Sequence, residues 1–372
     1  MFADQEFMQR ALALAERGRG WVNPNPMVGC VIVHHGVVVA EGWHERAGAA
    51  HAEAMACAQC TPEVLRDSVV YVTLEPCAHT GRTAPCVDLF LRNPPKRVVV
   101  AMKDPNPRVA GGGIEKLKQA GIPVETGLLE KEAARLNEIF VKYVTTRLPW
   151  VTAKCAMSLD GKIATYSGHS RWITGVEARQ ATHALRHAHD AIMVGSRTVL
   201  CDKPQLTTRL EGVEGRNPIR IVLDAEGILA GNDEVFPDRT QAPVWVVGNE
   251  TLSWPFADRV MALPENAGGV DLQVLMKRLG EEGVTSVLIE GGGETLSSAF
   301  FDRIVDKLCF FVAPKIIGGR DAVTPVEGIG VDHMSRALQM CDLQCRSFGS
   351  DLCLEAYVDQ NGSFSSGEER GA

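Results

Sequence analysis

Short valine-rich runs that are apolar at every position recur along this chain, separated by stretches with helical spacing. Val69-Val70-Tyr71-Val72 and residues 98–101 are two of them, with a helical segment near 87–91 between. A strand apolar on both faces must be covered on both faces, which happens when a sheet lies between two layers of helices. The pattern therefore predicts a layered α/β protein. Residues 28–33 and 37–40 flank the turn signal His34-His35-Gly36 and read as a hairpin. A helix is expected from near His51, another over 113–120, a strand over 123–126 and a helical stretch over 130–143. The spacing of Phe7, Met8, Ala11, Leu12 and Leu14 adds an amphipathic helix at the start.

With 372 residues the chain exceeds the roughly 250 to 300 at which one core stops growing, so two domains are expected. The pattern restarts around Arg147-Leu148-Pro149. Strands are expected over 151–156, 191–194, 219–223, 244–247, 286–289 and 308–312, with helices over 176–187, 270–280 and 295–301. This predicts a first domain over 1–146, a second α/β domain over 147–359 and a polar, disordered tail over 360–372. There is no internal repeat. A formal charge of -8 argues against a long polyanion such as nucleic acid as partner, because such binding draws on clustered cations. A small phosphorylated ligand needs only a few. No apolar run approaches the roughly 18 to 20 residues that span a bilayer, and the first residues lack the order of a signal peptide. A cytoplasmic protein is expected, its eleven cysteines reduced.

The chemistry concentrates in His51-Ala52-Glu53, Pro76-Cys77 and Cys86. One imidazole and two thiolates suit zinc, and three protein ligands leave the fourth tetrahedral position open, as a catalytic site requires. Two thiolates cancel the charge of the ion, so a nearby base is needed to help acidify a water there, and Glu53 is the candidate. His51 and Glu53, two residues apart, can both serve the pocket only if a helix presents its N-terminal end to it. The order H-x-E, then P-C, then C matches the general zinc-deaminase signature, although eight residues rather than two separate the cysteines. Cys57 and Cys60 also form a C-x-x-C, but inside the expected helix, where that spacing marks packing.

PNPMVGCVIV, HAEAMA, YVTLEPCAHTGRTAPC and MKDPNPRVAGGG resemble the deaminase domain of the bifunctional riboflavin-biosynthesis deaminase/reductase family, in which the longer cysteine spacing is the norm. That spacing disfavours a nucleic-acid deaminase; the intact Glu53 disfavours a zinc protein without catalysis. The resemblance implies a cytidine-deaminase-like α/β/α domain with His51, Cys77 and Cys86 on one catalytic Zn2+ and Glu53 moving protons. The substrate is then 2,5-diamino-6-(5-phosphoribosylamino)pyrimidin-4(3H)-one, deaminated to 5-amino-6-(5-phosphoribosylamino)uracil. It further implies Asn25 on the pyrimidine and His44, His79 and Arg82 on substrate polar groups and phosphate. Met27 stands where many relatives carry a polar residue, without removing a ligand.

In the second half, AKCAMSLDGKIA, SRWIT, GSRTVLCDKPQLTTR and VLIEGGGETLSSAFF resemble the reductase domain of the same family, similar in fold to dihydrofolate reductase. The resemblance implies NADPH, used to reduce the ribosyl to a ribityl group. Ala156, Trp172, Thr198, Asp202 and the run Gly292, Gly293, Glu294, Thr295, Leu296, Ser297 and Ser298 would line the cofactor. Lys154, Ser170, Arg186, Leu206, Arg209 and Glu290 would line the substrate, the two arginines suiting a ribose phosphate and Lys154 and Glu290 orienting the opened sugar. The glycine turn at 291–293, between a strand and a helix, lets the backbone approach a pyrophosphate at a helix N-terminus, yet it is not the G-x-G-x-x-G fingerprint. Arg197 is a candidate for a 2′-phosphate. Asp160, in Ser-Leu-Asp-Gly, reads as a turn residue bonding backbone amides. A homo-oligomer is expected.

Overall fold

Valines on alternate faces of the first sheet pack against helices on both sides. The computed structural model describes residues 2–79, 84–106, 112–232, 235–236, 238–249, 251–263, 265–266 and 269–359. Its chain divides into two compact units that meet between Leu148 and Pro149. The first runs α1 (Phe2–Glu16), β1 (Gly29–His34), β2 (Val37–Trp43), α2 (Ala52–Cys57), α3 (Pro62–Arg66), β3 (Ser68–Leu74), α4 (Cys86–Arg92), β4 (Arg97–Met102), α5 (Gly112–Gln119), β5 (Val124–Thr126), α6 (Glu130–Leu136) and α7 (Glu138–Thr146). The five strands lie in the order β2-β1-β3-β4-β5. β1 is antiparallel to β2 and β3, while β3, β4 and β5 are parallel.

Side chains alternate across this sheet. Cys30, Ile32, Val70, Val72, Val98 and Val100 pack with Ala52, Ala56, Leu65, Val87, Phe90, Ile114 and Leu117, which come from α2, α3, α4 and α5. Their neighbours Val31, Val33, Tyr71, Val99 and Ala101 pack on the other face with Met8, Ala11, Leu14 and Ala133 from α1 and α6. This is an α/β/α sandwich. The helical stretch expected over 130–143 is two helices, broken at Asn137, whose buried side chain leaves the helix path to accept the amide of Met27 (2.8 Å) and donate to its carbonyl (3.0 Å). The helix expected near His51 ends at Cys57, so Cys60 lies in the turn beyond it; both cysteines pack against the core.

The second unit runs β6 (Trp150–Ser158), α8 (Val176–Ala188), β7 (Ala191–Gly195), α9 (Ser196–Asp202), β8 (Ile219–Asp224), β9 (Val244–Gly248), β10 (Arg259–Met261), β11 (Glu265–Asn266), β12 (Gly269–Val270), α10 (Leu272–Glu281), β13 (Ser286–Ile289), α11 (Gly293–Phe301), β14 (Lys307–Ala313), a 3-10 turn at Met334–Arg336, β15 (Met340–Phe348) and β16 (Asp351–Val358). Its nine-stranded sheet has the order β10-β9-β8-β7-β13-β6-β14-β16-β15; β11 and β12 pair separately. The strands from β10 to β14 are parallel, and β16 and β15 add antiparallel at one edge. That C-terminal hairpin was not expected from the pattern. β15 is exposed on both faces through residues 341–347, so its sequence carries no apolar alternation. The expected tail over 360–372 lies outside the described residues.

Candidate functional site

His51, Cys77 and Cys86 come together although 35 residues separate the first from the last. β3 delivers Cys77 just past its C-terminal end, His51 precedes α2, and Cys86 opens α4. His51 is the N-cap of α2 in extended backbone (φ -74°, ψ 158°). That removes the angular conflict with Glu53: only Glu53 is helical, in the first turn, and both side chains serve the end of the helix. His51 Nδ1 lies 3.2 Å from Cys86 Sγ and 3.6 Å from Cys77 Sγ. Ligand atoms at tetrahedral zinc bond lengths stand roughly 3.5 Å apart, so these nitrogen–sulfur distances suit the ion, and all three atoms lie within 4.8 Å of one another.

The electrostatics favour one thiolate, at Cys77, and keep Cys86 protonated, its hydrogen bond to Cys77 and its burial pushing its pKa well up. The Cys86 thiol and His51 both hydrogen-bond Cys77 and pull its thiol well below the usual range, and the Cys86 amide donates to Cys77 Sγ at 3.2 Å. The same bond to Cys77 raises the basicity of His51. Burial pushes the Glu53 carboxyl up to about 7, which keeps it able to accept and release a proton near neutrality.

Two further expected residues stand beside this triad. The His44 ring meets that of His51 edge-on at 5.6 Å, its Nε2 is 3.2 Å from Asn25 Nδ2, and its Nδ1 is 3.0 Å from the Ala50 carbonyl. Burial lowers the pKa of His44 and favours the neutral ring. His79 is exposed two residues beyond Cys77, and Arg82 lies outside the described residues. Two positioning residues escaped the sequence reading. Asn137 holds Met27, two residues from Asn25. Glu75, inside the LEPC motif and buried, accepts the amides of Gly113 (2.9 Å), Ile114 (3.0 Å) and Asp104 (3.2 Å), tying the start of α5 to the loop that carries Cys77. Its only sequence signal is an acidic residue beside a ligand in a strand end.

In the second unit three cavities of about 460, 150 and 830 Å³ run into one another. Ile163, Thr198 and Asp202 line all three. The first cavity holds Gly292, Gly293, Glu294, Thr295 and Ser298 from the start of α11. Leu296 and Ser297, expected to line the cofactor, are instead buried, because the helical turn points them away from the face that carries 294, 295 and 298. Glycine is required at 293, where an added Cβ would stand 2.4 Å from the Thr324 carbonyl oxygen. Arg197 faces the same cavity and pairs with Glu294 (3.0 Å) and Glu226 (3.4 Å).

The third cavity gathers Lys154, Ala156, Ser170, Trp172, Arg186, Leu206, Arg209 and Glu290. Trp172 thus lines the chamber of the expected substrate residues, under the Arg179 guanidinium at 4.7 Å. Ser170 donates to Asp202 at 3.1 Å. Glu290 is clamped: Arg186 holds both carboxylate oxygens (2.6 and 2.9 Å) and Lys154 approaches at 3.4 Å. Burial opposes ionisation of Glu290, but Arg186 and Lys154 outweigh it and hold the carboxyl at about 2. A third Arg186 bond goes to the Thr207 carbonyl at 3.0 Å, so most of its donors are spent inside the protein and Arg209 is the more available cation. His183, one turn before Arg186, was not anticipated. It accepts the Arg209 amide at 3.3 Å, and burial with the charges of Arg186 and Arg209 lowers its pKa to about 4, keeping it neutral. Asp160 lies in a turn and bonds backbone amides, but they are those of Ile317 (3.1 Å) and Gly318 (2.7 Å), so it fastens a distant loop instead of closing its own turn.

Comparison with known proteins agrees with this division. Residues 1–102 match the cytidine and deoxycytidylate deaminase zinc-binding region, and residues 149–354 match the RibD C-terminal domain. The riboflavin biosynthesis protein RibD of Actinobacillus pleuropneumoniae is 41% identical, over 95% of each chain. That of Escherichia coli is 40% identical, over 94% of this chain and 98% of its own. The crystal structure of a Thermotoga maritima diaminohydroxyphosphoribosylaminopyrimidine deaminase/5-amino-6-(5-phosphoribosylamino)uracil reductase superposes with a TM-score of 0.84 at 37% identity, covering 96% of this chain and 99% of that one. Acinetobacter baumannii RibD gives 0.85 at 36% identity, with the same coverage. With a zinc-binding deaminase unit and a reductase unit matched over nearly their whole length, the chain belongs to the RibD family of bifunctional deaminase-reductases of riboflavin biosynthesis.

Proposed function

We propose that the first unit deaminates 2,5-diamino-6-(5-phosphoribosylamino)pyrimidin-4(3H)-one and that the second reduces the ribosyl group of the resulting 5-amino-6-(5-phosphoribosylamino)uracil with NADPH. The observation that carries the first step is the buried Glu53 carboxyl in the first turn of α2, beside an N,S,S donor set that the fold brings together. His51, Cys77 and Cys86 would hold a zinc ion, which would supply the Lewis acidity that makes water acidic enough to react at neutral pH. Glu53 takes one proton from the attacking water and delivers it to the ring nitrogen, then takes the second from the hydroxyl of the adduct and delivers it to the amino group, so that the carbonyl forms as ammonia leaves uncharged. Asn25, held by neutral His44, hydrogen-bonds the pyrimidine; His79 and Arg82 meet the ribose phosphate.

In the second unit bound NADPH supplies the hydride, and the protein aligns donor and acceptor. The start of α11 receives the pyrophosphate. Arg197 reads the 2′-phosphate once it gives up a carboxylate partner. Lys154, poised by ionised Glu290, donates to the opened sugar next to its C1′, with Arg186 as the group that positions Glu290. Arg209 meets the substrate phosphate. A cytoplasmic location is part of the same reading, and no helix among the described residues is long and apolar enough to cross a membrane. The open edge strand β15, with Leu343 exposed, supports a homo-oligomer.

The test is direct. Wild-type protein with zinc and the diaminopyrimidine phosphate releases ammonia, and adding NADPH then gives the ribityl product. Glu53→Gln is expected to lose at least about 1,000-fold in ammonia release, while reduction of the deaminated compound stays within twofold. Unchanged ammonia release from that variant defeats the assignment of Glu53.

A further inference from the structure

A second convergence of metal-ligating side chains lies at the opposite end of β3 from the His51, Cys77 and Cys86 triad. β1 ends at His34 and turns through His35 and Gly36, both at positive φ (50° and 79°), into β2. Two central residues of this conformation make the tight two-residue hairpin loop, for which asparagine or glycine is the ordinary choice. Here the first position is a histidine. The register of β1 on β3 sets His34 opposite Ser68, which brings the turn to Asp67, the residue that ends α3.

Both imidazoles then aim at one oxygen. His34 Nε2 is 3.3 Å and His35 Nε2 3.0 Å from Asp67 Oδ2, with the two rings 4.1 Å apart between centroids. The three donor atoms lie within 4.8 Å of one another. Ligand atoms around a tetrahedral ion with bonds near 2.0 to 2.1 Å stand roughly 3.3 Å apart, so the spacing is that of a bound ion as well as of hydrogen bonds. The other oxygen, Oδ1, is held by the Lys96 ammonium, whose backbone amide bonds the Ser68 carbonyl. That bond turns Oδ2 toward the imidazoles and persists when Oδ2 binds a cation, as outer partners of ligating carboxylates do. Strand ends, not free side chains, supply all the parts, and the solvent side of His35 leaves room for water to complete the coordination.

We propose that His34, His35 and Asp67 form a second divalent-cation site, of the two-imidazole, one-carboxylate class that takes Zn2+, Co2+, Ni2+ or Cu2+. It is separate from the thiolate site: Asp67 and Cys77 flank the seven residues of β3, which puts the two sites roughly 20 Å apart. A cation there clips the hairpin turn to the α3–β3 junction. Because it has no thiolate, its cobalt complex is spectroscopically distinct from that of the first site.

The experiment is Co2+ titration of the metal-free full-length chain, read by bound metal per chain and by the intense thiolate-to-cobalt absorption. Wild type is expected to bind two equivalents. The double variant His34→Gln/His35→Asn, which gives the turn its preferred residue, and Asp67→Asn are each expected to bind one, with the thiolate absorption and the deaminase activity after zinc loading unchanged. A single equivalent in wild type overturns the proposal. So does a second equivalent kept by both variants, or a lost equivalent that takes the thiolate absorption with it.

Discussion

Glu290 and Glu53 are both buried carboxyls, and their surroundings drive them in opposite directions. At Glu53 desolvation outweighs the opposing charge of His51, whereas at Glu290 the charges of Arg186 and Lys154 outweigh desolvation. The consequence for Glu290 can be measured. Its folded pKa of about 2 lies below the ordinary 4.5, so the ionised group stabilises the fold fully above pH 4.5, and that contribution disappears as pH falls toward 2. The shift corresponds to about 3 kcal/mol. Urea unfolding at about pH 6 and about pH 3.5 is expected to show wild type losing stability relative to Glu290→Gln as the pH drops; a constant difference would refute it. At the cofactor cavity, Arg197→Ala is expected to weaken NADP+ binding about tenfold and leave NAD+ within about twofold, as read by calorimetry.

Among the elements, the contact between α5 and the loop after β3 controls the metal site from outside it. A Cβ on Gly113 would stand 1.9 Å from the Pro76 carbonyl oxygen, and only backbone movement next to Cys77 relieves that clash. Glu75 fastens the same helix start to this loop through its carboxylate. Gly113→Ala is therefore expected to weaken zinc binding roughly tenfold or more in competition with a chelator, with the reductase reaction unaffected. An unchanged zinc affinity would show that the loop relaxes freely. α2 and α4 were legible in the sequence, as a helix from near His51 and a helical segment near 87–91. The break between α6 and α7 was not, because the side chain that forces it, Asn137, answers to Met27, 110 residues away. β15 was not legible for a different reason: a strand exposed on both faces has no apolar side to announce it.

Across the whole molecule, two compact units with separate cores and separate ligands predict separable stabilities. In calorimetry, chelation of zinc is expected to lower only the transition of the deaminase unit. Saturating NADPH, at about 100 times its dissociation constant, is expected to add about 2.7 kcal/mol only to the reductase unit. A single transition that moves with either ligand would contradict this.

The family and the two-unit α/β plan could be read from local pattern, which also singled out His51, Cys77, Cys86 and Glu53 as candidates. Apolar alternation depends only on neighbouring residues, and few chemistries other than zinc need H-x-E with two cysteines. Three-dimensional packing settled the rest. His51 reaches Cys77 and Cys86 from outside its helix, Arg186 is committed to Glu290, Leu296 and Ser297 turn inward, and His34 and His35 meet Asp67. Each of these depends on a partner brought close by strand register or helix phase, and residue type alone does not specify that partner.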